Sequence, residues 1–151
     1  MLMFYRCHYI ILPVLFCVFS GCQRLPERPE GMPELTPCTI VVTFGGERLQ
    51  DVSVRLQPKE PSVQNWAAGA QTDTEGKAVL KTAGYYDGVV PGEYFVIFQK
   101  YAELEVGRSG MPLPAKPLIP IEYSRANPMV TIVVTKEQKE YPFELEGLPG
   151  N

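Results

Sequence analysis

From Cys38 to the C-terminus, short β-branched and apolar runs alternate with turns built on Gly, Pro and Asp, and no helical period is sustained anywhere. Thr39–Phe44 is β-branched and apolar, and Gly45-Gly46 breaks it. Val52–Gln57 alternates strictly, with Val52, Val54 and Leu56 on one face, and Pro58 ends it. Ala67–Thr72 is a weaker strand. Asp73-Thr74-Glu75-Gly76 then forms a tight turn, in which Asp bonds its own backbone and Gly takes a positive φ. Ala78–Thr82 answers as the second arm of a hairpin. After the loop 83–88 and the Pro91-Gly92 turn comes Glu93–Lys100, apolar on both faces at its centre, as suits a strand in the middle of a two-layer packing. Residues 101–128 hold five prolines and lack a clear period, so they read as a long excursion. Met129–Thr135 is β-branched from Val130 onward, and Tyr141, Phe143 and Leu145 share one face of a closing strand.

Seven short strands and few other elements point to an all-β fold, a seven-stranded antiparallel sandwich. Its expected core is Ile40, Val42, Phe44, Val52, Val54, Leu56, Leu80, Tyr94, Val96, Phe98, Val133, Phe143 and Leu145. At about 1.5–3 kcal/mol per buried large apolar side chain, such a core offsets folding entropy without disulfides.

The N-terminus is of another kind. Arg6 places a positive charge before the apolar run Tyr9–Phe19, and Ser20-Gly21 are small, as in a secretory signal. Eleven apolar residues fall short of the roughly 20 needed to cross a bilayer as a permanent helix. Phe19-Ser20-Gly21-Cys22 resembles the bacterial lipoprotein signal, in which the cysteine becomes the lipidated N-terminus. The resemblance implies a signal peptide over 1–21, a diacylglyceryl group on Cys22 and membrane attachment through it. Two or more acyl chains hold stably where one holds only marginally. Gln23, in place of an Asp that would imply inner-membrane retention, points to the outer membrane. Residues 22–37, with Pro26, Pro29, Pro33 and Pro37, read as a linker; 15 such residues in polyproline form reach roughly 45 Å. Residues 38–151 remain as one domain.

Removal of 1–21 takes Arg6, His8, Cys7 and Cys17 with it. Thirteen basic against 17 acidic side chains then remain, a net charge of −4. That balance offers no basic footprint, so no nucleic acid is expected as a partner. No histidine would be left, which argues against Ser-His-Asp or Cys-His catalysis and against nearly every zinc site. Neither enzyme activity nor a cofactor is expected. Cys38 is left without an internal disulfide partner and reads as a small, half-buried strand residue.

Three further motifs, in order, resemble those of carboxypeptidase regulatory-like domains. They are Val41–Val54 (strand, Gly turn, then Leu49-Gln50-Asp51-Val52-Ser53-Val54), the Thr72-Asp73-Thr74-Glu75-Gly76 turn, and Pro91-Gly92-Glu93-Tyr94-Phe95-Val96. Ile119–Ser124 followed by Asn127-Pro128-Met129 is similar to a segment of small bacterial lipoproteins of this type. The resemblance spans about 38–146 and implies a transthyretin-like sandwich; it brings no catalytic residues.

Trp66, Tyr85, Tyr86 and Tyr123, with Asp87, lie in or beside loops and are the candidate ligand-binding residues, since aromatic faces beside carboxylates suit sugars or protein partners. Covering the ends of the sandwich is their structural alternative. Asp73, Glu75 and Asp87 lack a calcium-loop spacing, so no metal is expected. Glu103 and Glu105 read as a solvated face. The expectation is a lipid-anchored cell-envelope protein whose partners are envelope proteins or, alternatively, surface glycans.

Overall fold

The computed structural model describes residues 26–126 and 130–147. The expected signal segment 1–21, Cys22, residues 23–25 of the linker and residues 127–129 lie outside the described residues. The described chain is all β: β1 (Thr39–Phe44), β2 (Glu47–Arg48), β3 (Ser53–Pro58), β4 (Ala68–Gln71), β5 (Lys77–Val79), β6 (Lys81–Thr82), β7 (Tyr86–Asp87), β8 (Gly92–Gln99), β9 (Thr131–Val134) and β10 (Glu140–Leu145). Three of these, β2, β6 and β7, are two residues long. The other seven fall on the seven runs read from the sequence. Two short 3-10 helices, Pro61–Trp66 and Ile121–Ser124, are the only helices among the described residues.

The strands form two sheets packed as a sandwich. One holds β10-β1-β2, with β5 also on β1; the other runs β7-β6-β4-β3-β8-β9. Every ladder is antiparallel except β1 with β10, which is parallel from Thr39 opposite Glu140 to Phe44 opposite Leu145. The N- and C-terminal strands of the domain therefore close the smaller sheet side by side.

The Asp73–Gly76 turn forms as expected: Asp73 N–H donates to Lys77 O (2.9 Å), and Gly76 N–H to Asp73 O (3.0 Å). Its arms pair as a hairpin at the turn and at their far ends, Ala68 with Thr82 and Gly69 with Lys81, but not between. β4 belongs to the larger sheet and β5 to the smaller, where Ala78 pairs with Ile40. The run Ala78–Thr82 is itself divided, because at Leu80 the chain passes from the smaller sheet to the larger, where β6 lies beside β4. Leu80 holds that corner with its N–H on Cys38 O (2.9 Å), its carbonyl taken by Gly88 N–H (3.0 Å) and its side chain fully buried. An apolar run cannot by itself say which of two sheets each half joins.

The expected core residues are buried, or packed against the core in the case of Phe44 and Phe143, with one exception. Val133 points outward, 55% exposed. Register decides this: Tyr94 faces inward and pairs with Ile132, so Ile132 and Val134 are buried while Val133 sits opposite exposed Glu93. Phe98 meets Phe143 edge to face at 5.2 Å between ring centroids. The buried polar groups are satisfied locally. Thr72 Oγ1 accepts from Val52 N–H (2.8 Å) and donates to Leu49 O (2.7 Å), Thr82 Oγ1 donates to Gly88 O (2.8 Å), and Tyr94 OH donates to Val90 O (2.6 Å).

The described part of the expected linker lies on the sandwich. Thr36 exchanges both backbone hydrogen bonds with Val89 (2.8 Å each) and Met32 is buried. Glu34 pairs with Lys136 at 2.7 Å; this partner holds the Glu34 carboxyl below the usual range and raises the Lys136 amine. Any free tether between Cys22 and the domain is correspondingly shorter than 15 residues.

Candidate functional site

The loop after β6 turns through Ala83 and Gly84, both at positive φ (52° and 77°). That reversal sets Tyr85, Tyr86 and Asp87 side by side. Tyr85 is 57% exposed and meets Tyr86 edge to face at 6.4 Å. Tyr86 is half-buried, and its hydroxyl donates to the Glu27 carbonyl (2.9 Å), so its polar tip helps hold the linker segment, an N-terminal strap, on the sandwich. Asp87 forms an ion pair with Lys81 (3.1 Å). Trp66 ends the first 3-10 helix, half-buried. Tyr123 lies in the second 3-10 helix, packs edge to face on Phe98 at 6.3 Å, and accepts Glu146 N–H on its hydroxyl (3.0 Å). Tyr123 thus covers an end of the core, and Tyr85 is the aromatic among these that presents most of its face to solvent.

The acidic candidates are engaged in the backbone or in ion pairs. Asp73 Oδ1 accepts the N–H groups of Glu75 (2.8 Å) and Lys77 (2.9 Å). Glu75 pairs with Lys77 at 3.1 Å, which raises the Lys77 amine. Among the described residues, no group of three or more His, Cys, Asp or Glu converges as metal ligands would. Cys38 is buried, and burial pushes its thiol pKa up to about 12. A thiol held protonated in this way is a poor nucleophile.

The excursion after β8 is an ordered arm. Leu118 N–H donates to Lys100 O (2.8 Å), Ala102 N–H to Lys116 O (2.9 Å), Leu113 N–H to Glu105 O (2.8 Å) and Gly107 N–H to Met111 O (2.8 Å). A turn at 107–110 closes it, with Gly110 N–H on Gly107 O (2.9 Å). Of the ten exposed large hydrophobics among the described residues, seven lie between Tyr101 and Ile121; Leu104, Val106 and Met111 are each at least 65% exposed. Apolar groups concentrated on one projecting element mark a contact surface rather than random exposure.

The arm's two edges differ. Tyr101 pairs with Pro117 and Val106 with Pro112 at the positions between the cross-strand hydrogen bonds, where backbone groups face outward. Proline carries no N–H, so the return strand offers no donor at either position, whereas Tyr101 and Val106 do. One edge is blunted and the other is open.

A second concave feature lies on the outer face of the larger sheet. A groove of about 560 Å³ is lined by Ser53, Arg55, Ala67, Gly69, Gln71 and Lys81, among others, and an adjoining one of about 460 Å³ shares Arg55 and Ala67 and extends to Gln57. It exists because β4 turns Gly69 outward between Arg55 of β3 and Lys81 of β6. A Cβ at Gly69 would stand 2.9 Å from Val54 O.

Neither surface was singled out from the sequence. The Gly107-Arg108-Ser109-Gly110 turn was a usable hairpin signal, but prolines at 112, 114 and 117 hide the alternation of the return strand. The groove depends on which strands flank β4, and Ala67–Gln71 alone carries no sign of its neighbours.

No protein-family model matches the chain, and no curated protein gives a significant match. Among solved structures, a 9R-lipoxygenase from Cyanothece PCC8801 is similar at 15% identity and a TM-score of 0.38, over 86% of this chain. The match spans 18% of that protein's length. A likeness at that level assigns neither fold nor chemistry.

Proposed function

We propose that this chain is an exported protein, lipid-anchored in the cell envelope through Cys22, that presents a non-catalytic β-sandwich as a protein-interaction module. The N-terminal pattern and its lipoprotein-signal resemblance support the anchor; the carboxypeptidase regulatory-like motifs support the module. The observation that carries the interaction reading is the arm, with Leu104, Val106, Met111 and Leu113 exposed and one strand edge still bearing donors. An extended apolar segment of an envelope protein can add to that edge as a further strand, taking backbone hydrogen bonds and covering alternate side chains.

The test is a variant with Leu104, Val106, Met111 and Leu113 all replaced by Ser, compared with the native sequence after mild detergent extraction of envelopes. The native protein is expected to run as part of a larger complex and the variant alone, with both melting at the same temperature. Identical complex sizes would overturn the reading.

Exposed Tyr85, beside Asp87, favours a second reading, a surface glycan-binding module. Loss of glycan retention in Tyr85→Ala would support it.

A further inference from the structure

We propose that the groove on the outer face of the larger sheet is a binding site for an acidic polysaccharide, one whose sugar rings carry carboxylates. This site is separate from the arm and does not depend on the lipid anchor; on its Lys81 side it borders the loop that carries Tyr85 and Asp87.

The argument begins with the missing side chain. On a sheet face, neighbouring strands stand about 4.8 Å apart, so the outward positions flanking β4 are about 10 Å from one another. Arg55 pairs with Gly69 and Gly69 with Lys81, which puts one cation on each wall and nothing but backbone between them. The two outward positions beside Gly69 along β4 are Ala67 and Gln71, so the depression runs on in both directions. From Gln71 to Ala67 its floor extends about 13 Å, enough for a short run of sugar rings lying along the strand.

The lining chemistry selects the occupant. Ser53, Gln57 and Gln71 present hydroxyl and amide groups suited to sugar hydroxyls. Arg55 has no ion pair or side-chain hydrogen bond among the described residues, and its planar fork matches a carboxylate in two-point fashion. Lys81 is held on the opposite wall by Asp87, itself exposed. An incoming carboxylate competes with Asp87 for that amine, so the site carries its own counterion when empty.

Binding of the purified full chain to oligogalacturonate, measured by titration calorimetry, tests this. Fully methyl-esterified oligogalacturonate and poly-glutamate serve as comparisons. The acid form is expected to bind at least about tenfold more tightly than the ester, with affinity falling as salt rises. Arg55→Gln and Lys81→Gln are each expected to weaken it about tenfold, the loss typical of one charge-assisted hydrogen bond. Asp87→Asn, which frees Lys81, is expected to strengthen it. Ala67→Phe fills the trough at an exposed position without touching the backbone and is expected to abolish binding while leaving the melting temperature unchanged. Equal binding of ester and acid, or full binding by Arg55→Gln and Ala67→Phe, would overturn the proposal. Poly-glutamate binding as tightly as oligogalacturonate would overturn the sugar assignment, since carboxylates alone would then suffice.

Discussion

Gly76 is where a single methyl group reports on how the two layers are held. It sits at φ +70°, and a Cβ there would lie 2.6 Å from Val42 O and 3.1 Å from Leu49 N. Val42 is the fully buried centre of β1; its carbonyl accepts Leu49 N–H (3.0 Å), and its N–H donates to Gly76 O (2.8 Å). Gly76→Ala therefore costs about 1–2 kcal/mol for the left-handed backbone. It costs about another 0.5–1.5 kcal/mol because the Val42 carbonyl must move off its partner. The sum is about 2.5 kcal/mol. Gly84 provides the matched control: φ is +77°, but nothing lies within 4 Å of its Cβ position. Gly84→Ala should lose only the backbone part, about 1–2 kcal/mol. In urea, with a slope of about 1–3 kcal/mol/M, the midpoints of the two variants should differ by about 0.5 M. Equal shifts would refute the reasoning, because the turn after β4 would then not press against β1.

Thr72→Val removes the hydroxyl that bridges Val52 N–H and Leu49 O while conserving shape; a loss of about 1–3 kcal/mol in the same titration is expected from leaving those buried groups unpaired. Ile132→Lys should prevent stable folding, whereas Val133→Lys one residue on should leave the stability within about 0.5 kcal/mol, which thermal melts of both variants would check. Burial, with the nearby Cys38 adding to it, pushes the Tyr94 hydroxyl up from 10.0 to about 12, and burial raises the Cys38 thiol from 9.0 to about 12. Both groups are neutral when protonated, and their folded values exceed the unfolded ones. The stability they contribute is therefore complete below about pH 9 and lost as pH rises towards 12. Urea midpoints should fall between pH 9 and 12, and Tyr94→Phe together with Cys38→Ala should flatten that fall.

The strands were legible wherever side chains alternate or a glycine or proline stops the run. Val52, Val54 and Leu56 show this best, with β3 alternating exposed and buried along its whole length. Uniformly β-branched stretches carried less. Nothing within Met129–Thr135 distinguishes Ile132 from Val133, and only pairing with Tyr94 does so. The exchange between sheets at Leu80 was likewise invisible, because burial is the same in either layer. The strap was read as a linker for its prolines, yet Thr36 finds a backbone partner in Val89 more than 50 residues away. Of the candidate surface, Tyr85, Tyr86 and Asp87 are adjacent in sequence and stay adjacent in space. The arm edge and the groove are made by neighbours that the sequence does not name: Pro112 opposite Val106, and Gly69 between Arg55 and Lys81.

The proposal that this sandwich acts from a membrane surface rests on Cys22, and the intact mass and N-terminal peptide of the native protein, taken from a membrane fraction, test it most directly. A chain that begins at Cys22 and carries an added diacylglyceryl mass is the predicted result. A soluble protein with an unmodified N-terminus near residue 22 would contradict the anchor and leave a secreted sandwich with Cys22 and Cys38 as free thiols.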